Sequence, residues 1–162
     1  MELDQAAKKK VLRDITYGLY AVTASHDGER GVFTVNWLSQ ASFEPPLVMV
    51  SVENDSSTLA LIRASGLFAI CPFDASQKTL AAALGKPKAR AGDKFATLDL
   101  AIVETASGVP ALADALGYLV CAVRSETPAG DSVVFIAEVI EAQSFSDAPQ
   151  LIMREAGFRH AG

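Results

Sequence analysis

Cysteine and histidine are nearly absent from this chain, two of each in 162 residues. Cys71 and Cys121 stand far apart, each inside an apolar run (FAICPF and YLVCAV), so they read as buried, inert thiols. No C-x-x-C occurs, and His26 and His160 have no metal-ligand spacing to the cysteines or to each other, so no zinc site is signalled. Long hydrophobic runs are missing too. Half of the residues are hydrophobic, yet the longest near-continuous run, Leu47–Val52, is far short of the roughly 20 residues a membrane helix needs. The polar N-terminus carries Lys8-Lys9-Lys10 with no apolar signal core behind it. These absences predict a soluble, cytoplasmic protein with no membrane partner. A basic excess is also lacking: the net charge is −5, whereas a general nucleic-acid surface needs a basic face. Neither G-x-x-x-x-G-K-[ST] nor G-x-G-x-x-G after a strand is present, which removes the P-loop and Rossmann phosphate sites.

What is present is a succession of short strand patterns over one domain, residues 1–162, with no internal repeat or linker. Phe33, Val35 and Trp37 alternate with Thr34 and Asn36, the period of a strand. Ser39, Gln40 and Ser42 follow as a polar, turn-like cluster, Pro45-Pro46 forces a turn, and Leu47–Val52 leaves as a strand apolar on both faces, hence central. Two readings stay open for 33–46: a strand pair with polar turn chemistry, or strand ends that cradle a flat polar ligand.

Elsewhere, Asp4–Asp14 predicts a helix capped by Asp4. Leu19–Ser25 and Gly31–Trp37 predict a hairpin through His26-Asp27-Gly28, with His26 exposed in the turn. Ser56 or Ser57 caps a helix reaching about Ala64, whose N-terminus is either an ordinary cap or a seat for phosphate. Gly66–Pro72 is a strand and Asp74–Leu84 a helix. Gly85–Lys94 is a basic loop, solvated or attracting a phosphate-bearing ligand. Leu98–Glu104 is a strand, Leu112–Leu116 a helical turn, and Gly117–Ser125 and Ser132–Ala142 a hairpin turning at Pro128–Asp131. Leu151–Gly162 is a tail without periodicity. Many short strands with peripheral helices predict a mainly β protein, a closed antiparallel β-barrel that leaves no free edges.

Several runs, taken in order, resemble one family. They are Tyr17-Gly18-Leu19-Tyr20-Ala21-Val22-Thr23, the whole of Phe33–Val48, Ser65-Gly66-Leu67-Phe68-Ala69-Ile70, Gln77-Lys78-Thr79-Leu80-Ala81, Asp93-Lys94-Phe95 and Gly130-Asp131. The chain is similar to the flavin reductase-like family, particularly its flavoredoxin-like branch. The resemblance implies a Greek-key FMN-binding split barrel that forms a homodimer, with FMN between strand ends at the subunit interface. It implies flavin contacts from Thr34, Val35, Asn36, Trp37, Ser39 and Ser42, a phosphate end at Ser56, Ser57 and Thr58, and Phe95 as a further neighbour. The flavin carries the chemistry in such proteins, so no catalytic side-chain acid or base is required.

The implied activity is electron transfer from NAD(P)H to flavin or another acceptor such as a redox partner protein. The alternatives are an FMN electron carrier reduced by a partner and a barrel that has lost flavin. One position departs from the resemblance: where many such reductases follow Gly-Asp with His near the nicotinamide, this chain has Ser132. Ser132 cannot stack on the ring, which predicts slow direct reduction by NAD(P)H. Trp37 stands where a small residue is common, and so narrows the implied site.

Overall fold

The computed structural model describes residues 2–87, 90 and 92–160. In chain order the elements are α1 (Gln5–Asp14), β1 (Tyr20–His26), β2 (Glu29–Val35), β3 (Leu38–Ser42), β4 (Leu47–Glu53), α2 (Ser57–Ser65) and β5 (Leu67–Pro72). Then come α3 (Lys78–Leu84), α4 (Lys94–Thr97), β6 (Ile102–Glu104), β7 (Pro110–Leu112), β8 (Gly117–Ala129), β9 (Ser132–Ser144) and α5 (Met153–Ala156). Seven strands make one antiparallel sheet in the order β2-β1-β5-β8-β9-β4-β3, and β6 and β7 make a separate ribbon.

The sheet's two edges, β2 and β3, are consecutive in the chain. Laid flat, seven strands would hold their edges about 29 Å apart. The three Cα–Cα steps from Val35 to Leu38 span at most about 11 Å. The sheet therefore curls until one end of β2 meets one end of β3. No ladder joins those two strands among the described residues, so the expected closed barrel is here an open, curled sheet.

Burial follows from the curl. Val22, Val35, Val48, Val50, Val52, Phe68, Ile70, Val133 and Phe135 point inward together, with Leu59 and Ile62 of α2 added to them. The other face of β1, β5 and β8 is covered by α3, α4, the β6–β7 ribbon and the C-terminal segment, through Phe73, Leu84, Phe95, Ala111, Tyr118 and Leu151. Each large side chain buried here stabilises the fold by about 1.5–3 kcal/mol.

The β1–β2 hairpin turns at Asp27-Gly28, both at positive φ (49° and 81°), which matches strand twist. The N-terminal helix is capped as expected, Asp4 accepting from the Ala6 and Ala7 N–H groups.

Several expectations are corrected. Ser39, Gln40 and Ser42 lie on an edge strand with a bulge between Gln40 and Ser42, not in a turn, because they pair with β4. Leu47–Val52 is second from the edge rather than central. Its Val48, Val50 and Val52 face the core, while Met49 is 40% exposed. The strands buried on both faces are β1 and β5. Leu98 ends α4, so only Ile102–Glu104 of the predicted strand forms; β7 ends at Leu112, and the expected helical turn over Leu112–Leu116 is reduced to one turn in which Ala115 N–H donates to the Leu112 carbonyl (3.4 Å). Pro128 and Ala129 belong to β8, leaving Gly130-Asp131 as the turn. Asp74 bonds to the Ser76 N–H and hydroxyl instead of capping α3. Of the basic loop, Lys88 falls outside the described residues. The C-terminal tail is docked: Leu19 N–H donates to the Leu151 carbonyl, Leu151 N–H to Phe73, and Leu151, Met153 and Ala156 are buried. No helix among the described residues is long and apolar enough to cross a membrane.

Gly117 lies where β8 crosses β9, and a Cβ there would overlap the carbonyl oxygen of Gln143. Gly117→Ala is expected to cost about 1–3 kcal/mol by forcing backbone apart. Urea unfolding at equilibrium checks this, and an unchanged midpoint contradicts it.

Candidate functional site

The curl brings β2 and β3 together at Asn36-Trp37, and the site is built around this junction. Trp37 carbonyl accepts from the Ser51 N–H (3.0 Å), tying the junction to β4. Three of the expected ligand residues have their side chains committed to the fold. Thr34 hydroxyl donates to the Ala81 carbonyl (2.7 Å) and Val35 is in the core. Asn36 is buried, its Nδ2 donating to the His160 carbonyl (3.0 Å) and facing Met153 sulfur at 3.1 Å. Whatever these three offer a ligand is backbone.

Trp37 and Ser39 line an apolar slot of about 370 Å³ with Leu12 and Tyr17 from the N-terminal segment and Met49 and Ser51 from β4. Its floor follows from strand alternation, since residues 49 and 51 share the face turned away from the core. Ser42, half-buried beyond the β3 bulge, is not among the residues lining it.

A second cavity of about 290 Å³ lies between the β1–β2 turn, the start of α2 and the start of α4. It collects Ser57, expected at the phosphate end, and Phe95, expected as a further neighbour, together with Arg30 and Lys94. Arg30 guanidinium stacks over the Phe95 ring, 4.6 Å from its centre. Lys94 is buried, and its Nζ donates to the carbonyls of Leu84 (2.5 Å) and Val32 (3.2 Å). Burial holds its pKa below the ordinary lysine value. Asp93 spends its carboxylate on the Phe95 and Ala96 N–H groups. Ser56 occupies the N-cap of α2 but its side chain caps no N–H, contrary to the cap expected there. Leu59 N–H donates to the Ser56 carbonyl (3.1 Å), which leaves the N–H groups of Ser57 and Thr58, at the very start of α2, without an intrahelical acceptor. Thr58 is buried against Gly31 and serves packing.

Ser132 is 2% exposed and donates to Asp131 Oδ1 (3.1 Å). It sits opposite Glu53 in the β4–β9 ladder.

Sequence reasoning missed Arg30, Tyr17 and Met49 at these cavities, and the His160–Glu53 pair beside Trp37. Arg30 and Glu53 flank predicted turns, where charge usually means solvation. His160 lies in a segment with no periodicity. Its ring is 5.4 Å from that of Trp37, and its Nε2 is 3.1 Å from Glu53 Oε1.

Neither cavity holds a reactive thiol. Burial pushes the Cys71 thiol up to about 11 and the Cys121 thiol up to about 12, so both stay protonated near neutral pH. Folded protein at pH 8 is therefore expected to react with neither thiol on exposure to dithiobis(nitrobenzoate), and to react at both once denatured. Fast labelling of the folded chain contradicts this.

Comparison with known proteins places these features in a family. The model of the flavin reductase like domain matches residues 12–162. The chain is 35% identical over 147 residues to the reductase component of a 4-nitrophenol 4-monooxygenase/4-nitrocatechol 2-monooxygenase from Rhodococcus opacus, covering 91% of this chain and 76% of the relative. It is 29% identical over 157 residues to an NADH-dependent FAD reductase of Streptomyces globisporus, covering 96% and 85%. The solved structure of the NADH:FAD oxidoreductase of Streptomyces globisporus C-1027 superposes with a TM-score of 0.82 at 28% identity, covering 94% of this chain and 92% of that one. With the match running through both cavities and the docked C-terminal tail, the chain belongs to the flavin reductase-like family.

Proposed function

We propose that this protein is a flavin-reducing oxidoreductase that takes electrons from NAD(P)H and delivers them as reduced flavin to a partner, in the manner of an oxygenase's reductase component. The observation that carries this reading is the convergence of Arg30, Phe95 and the Ser57 end of α2 on one cavity, along the same strand that leads to the Trp37 slot. The relatives named above are NADH-dependent or reductase components, which favours the enzyme over a passive electron carrier.

The residues present fit a flavin. The chemistry a bound flavin supplies is acceptance of a hydride from the dihydronicotinamide, with the added negative charge spread over N1 and the C2 carbonyl. Backbone N–H groups at the 34–37 strand end are the donors suited to that charge, because the neighbouring side chains are already bonded within the fold. The slot's apolar walls, Leu12, Tyr17 and Met49, exclude water from the ring. Arg30 and the α2 N-terminus form an anionic seat: a guanidinium donates in a planar fork, and the helix end carries partial positive charge.

Within this reading the flavin is FMN, held through its one phosphate at that seat, and the fold is the FMN-binding split barrel with β2 and β3 as the split. A cytoplasmic setting supplies the nicotinamide. A homodimer belongs to the same reading, because α1 buries none of its residues and leaves Val11 and Leu12 exposed, with Ile15 exposed just past its end and Leu12 lining the slot with Met49.

NAD(P)H oxidation by the purified protein with added flavin tests the activity, and its absence with both FMN and FAD overturns the reading. Arg30→Ala tests the seat. Arg30 is exposed, so its phosphate contact is worth only about 1–1.5 kcal/mol. The expected result is roughly five- to tenfold weaker FMN binding with riboflavin affinity unchanged. Equal loss for both flavins removes the phosphate from Arg30. FAD binding without FMN binding removes FMN. Light scattering checks the oligomer, and a flavin-saturated monomer refutes the dimer.

A further inference from the structure

The C-terminal tail carries an imidazole to Trp37, a residue lining the apolar slot. After α5, Gly157 at φ 74° turns the chain, and His160 returns to the β2–β3 junction. Three contacts hold it there. Its carbonyl accepts from Asn36 Nδ2 at 3.0 Å, its ring lies 5.4 Å from Trp37 at 41°, and its Nε2 meets Glu53 Oε1 at 3.1 Å.

The β4–β9 register defines what His160 overlooks. Ser51 opposes Val134, and Glu53 opposes Ser132. Directly opposed side chains share a face, and so do alternate residues along one strand. Ser51 and Val134 line the slot, so Glu53 and Ser132 continue its floor by one step, and His160 stands over that step. Ser132 itself has little to offer a ligand there, being buried and bonded to Asp131. The His160 side chain is 59% exposed. With Nε2 held by Glu53, its Nδ1 and much of its ring remain available.

A tail that only needed anchoring already has its anchor. Leu151, Met153 and Ala156 are buried, and the Asn36 bond is to backbone rather than to the imidazole. The ring contacts with Trp37 and Glu53 are additional to that. A planar imidazole beside an indole is suited to receiving a planar heteroaromatic ring that bears a carboxamide: it can stack on the ring and bond the amide.

We propose that His160 is the nicotinamide-binding residue of this protein, so that the C-terminal tail supplies the side chain that the β8–β9 turn, with Ser132, does not. The inference rests on the flavin reductase reading. It predicts that wild-type protein accepts electrons from NADH readily despite Ser132.

The test uses the full chain. NAD+ affinity is measured by calorimetry, with the emission of Trp37, the chain's single tryptophan, as a local reporter. The proteins are wild type, His160→Ala and His160→Phe, the last keeping a flat ring on Trp37. FMN affinity, thermal midpoint and steady-state NADH oxidation are measured alongside. The expected result for His160→Ala is about tenfold weaker NAD+ binding, a matching rise in KM for NADH, a smaller change in kcat, and unchanged FMN affinity and midpoint. His160→Phe should lose less. NAD+ affinity within twofold of wild type in His160→Ala overturns the assignment. So does a loss matched by equal losses in FMN affinity and midpoint, which would make His160 a tail anchor. A wild-type protein that binds flavin but neither binds NAD+ nor oxidises NADH overturns the reductase reading itself, and this assignment with it.

Discussion

A connection two residues long controls this structure. Asn36 and Trp37 alone separate strands that lie at opposite edges of a seven-stranded sheet. A chain that short cannot cross a flat sheet, so the sheet rolls up. Rolling puts one face of six strands into a common interior and leaves a seam between β2 and β3. At the seam, backbone groups have no neighbouring strand to pair with among the described residues, and the apolar side chain of Met49 from the outer face of β4 stands beside them. The fold's weakest closure is thus the place where a ligand can be met by main chain.

The fold also decides which side chains are free to meet it. Thr34, Val35 and Asn36 come from the motif most suggestive of binding, yet their side chains hold α3, the core and the C-terminal tail. Arg30 and Phe95, distant in sequence, stack on one another beside the start of α2. A buried polar group must find a partner within the protein, so Asn36 and Lys94 have their donors directed inward. Arg30 and His160 lie at the surface and keep capacity to spare. The same economy separates Ser132, closed off within the β8–β9 hairpin, from Glu53 opposite it, which reaches the tail.

Much of this is legible in the amino-acid sequence. Alternation marked the β1–β2 hairpin, Asp27-Gly28 marked its turn, and the order of short motifs marked the family. The helix expected to reach about Ala64 runs to Ser65, and Gly66, expected as the first residue of a strand, instead closes it in the left-handed conformation. The errors have a common cause. Leu47–Val52 looked central because its residues are apolar, but Met49 is apolar and exposed, lining a slot instead of a core. Ser39, Gln40 and Ser42 looked like a turn because they are polar, but an edge strand can be polar where it faces solvent.

What the sequence by itself determined was local: which segments are extended, where glycine or proline must turn the chain, and which motifs belong to flavin reductase-like proteins. Those properties depend on neighbours a few residues away. Tertiary structure alone decided that β2 and β3 are edges, that Ser57 and Phe95 share a cavity with Arg30, and that the aperiodic tail returns His160 to Trp37. The tail shows no periodicity because it is held at a few points by other segments, Leu151 between Leu19 and Phe73 and the His160 carbonyl on Asn36. Contacts between residues more than a hundred positions apart leave no repeat in the chain that makes them.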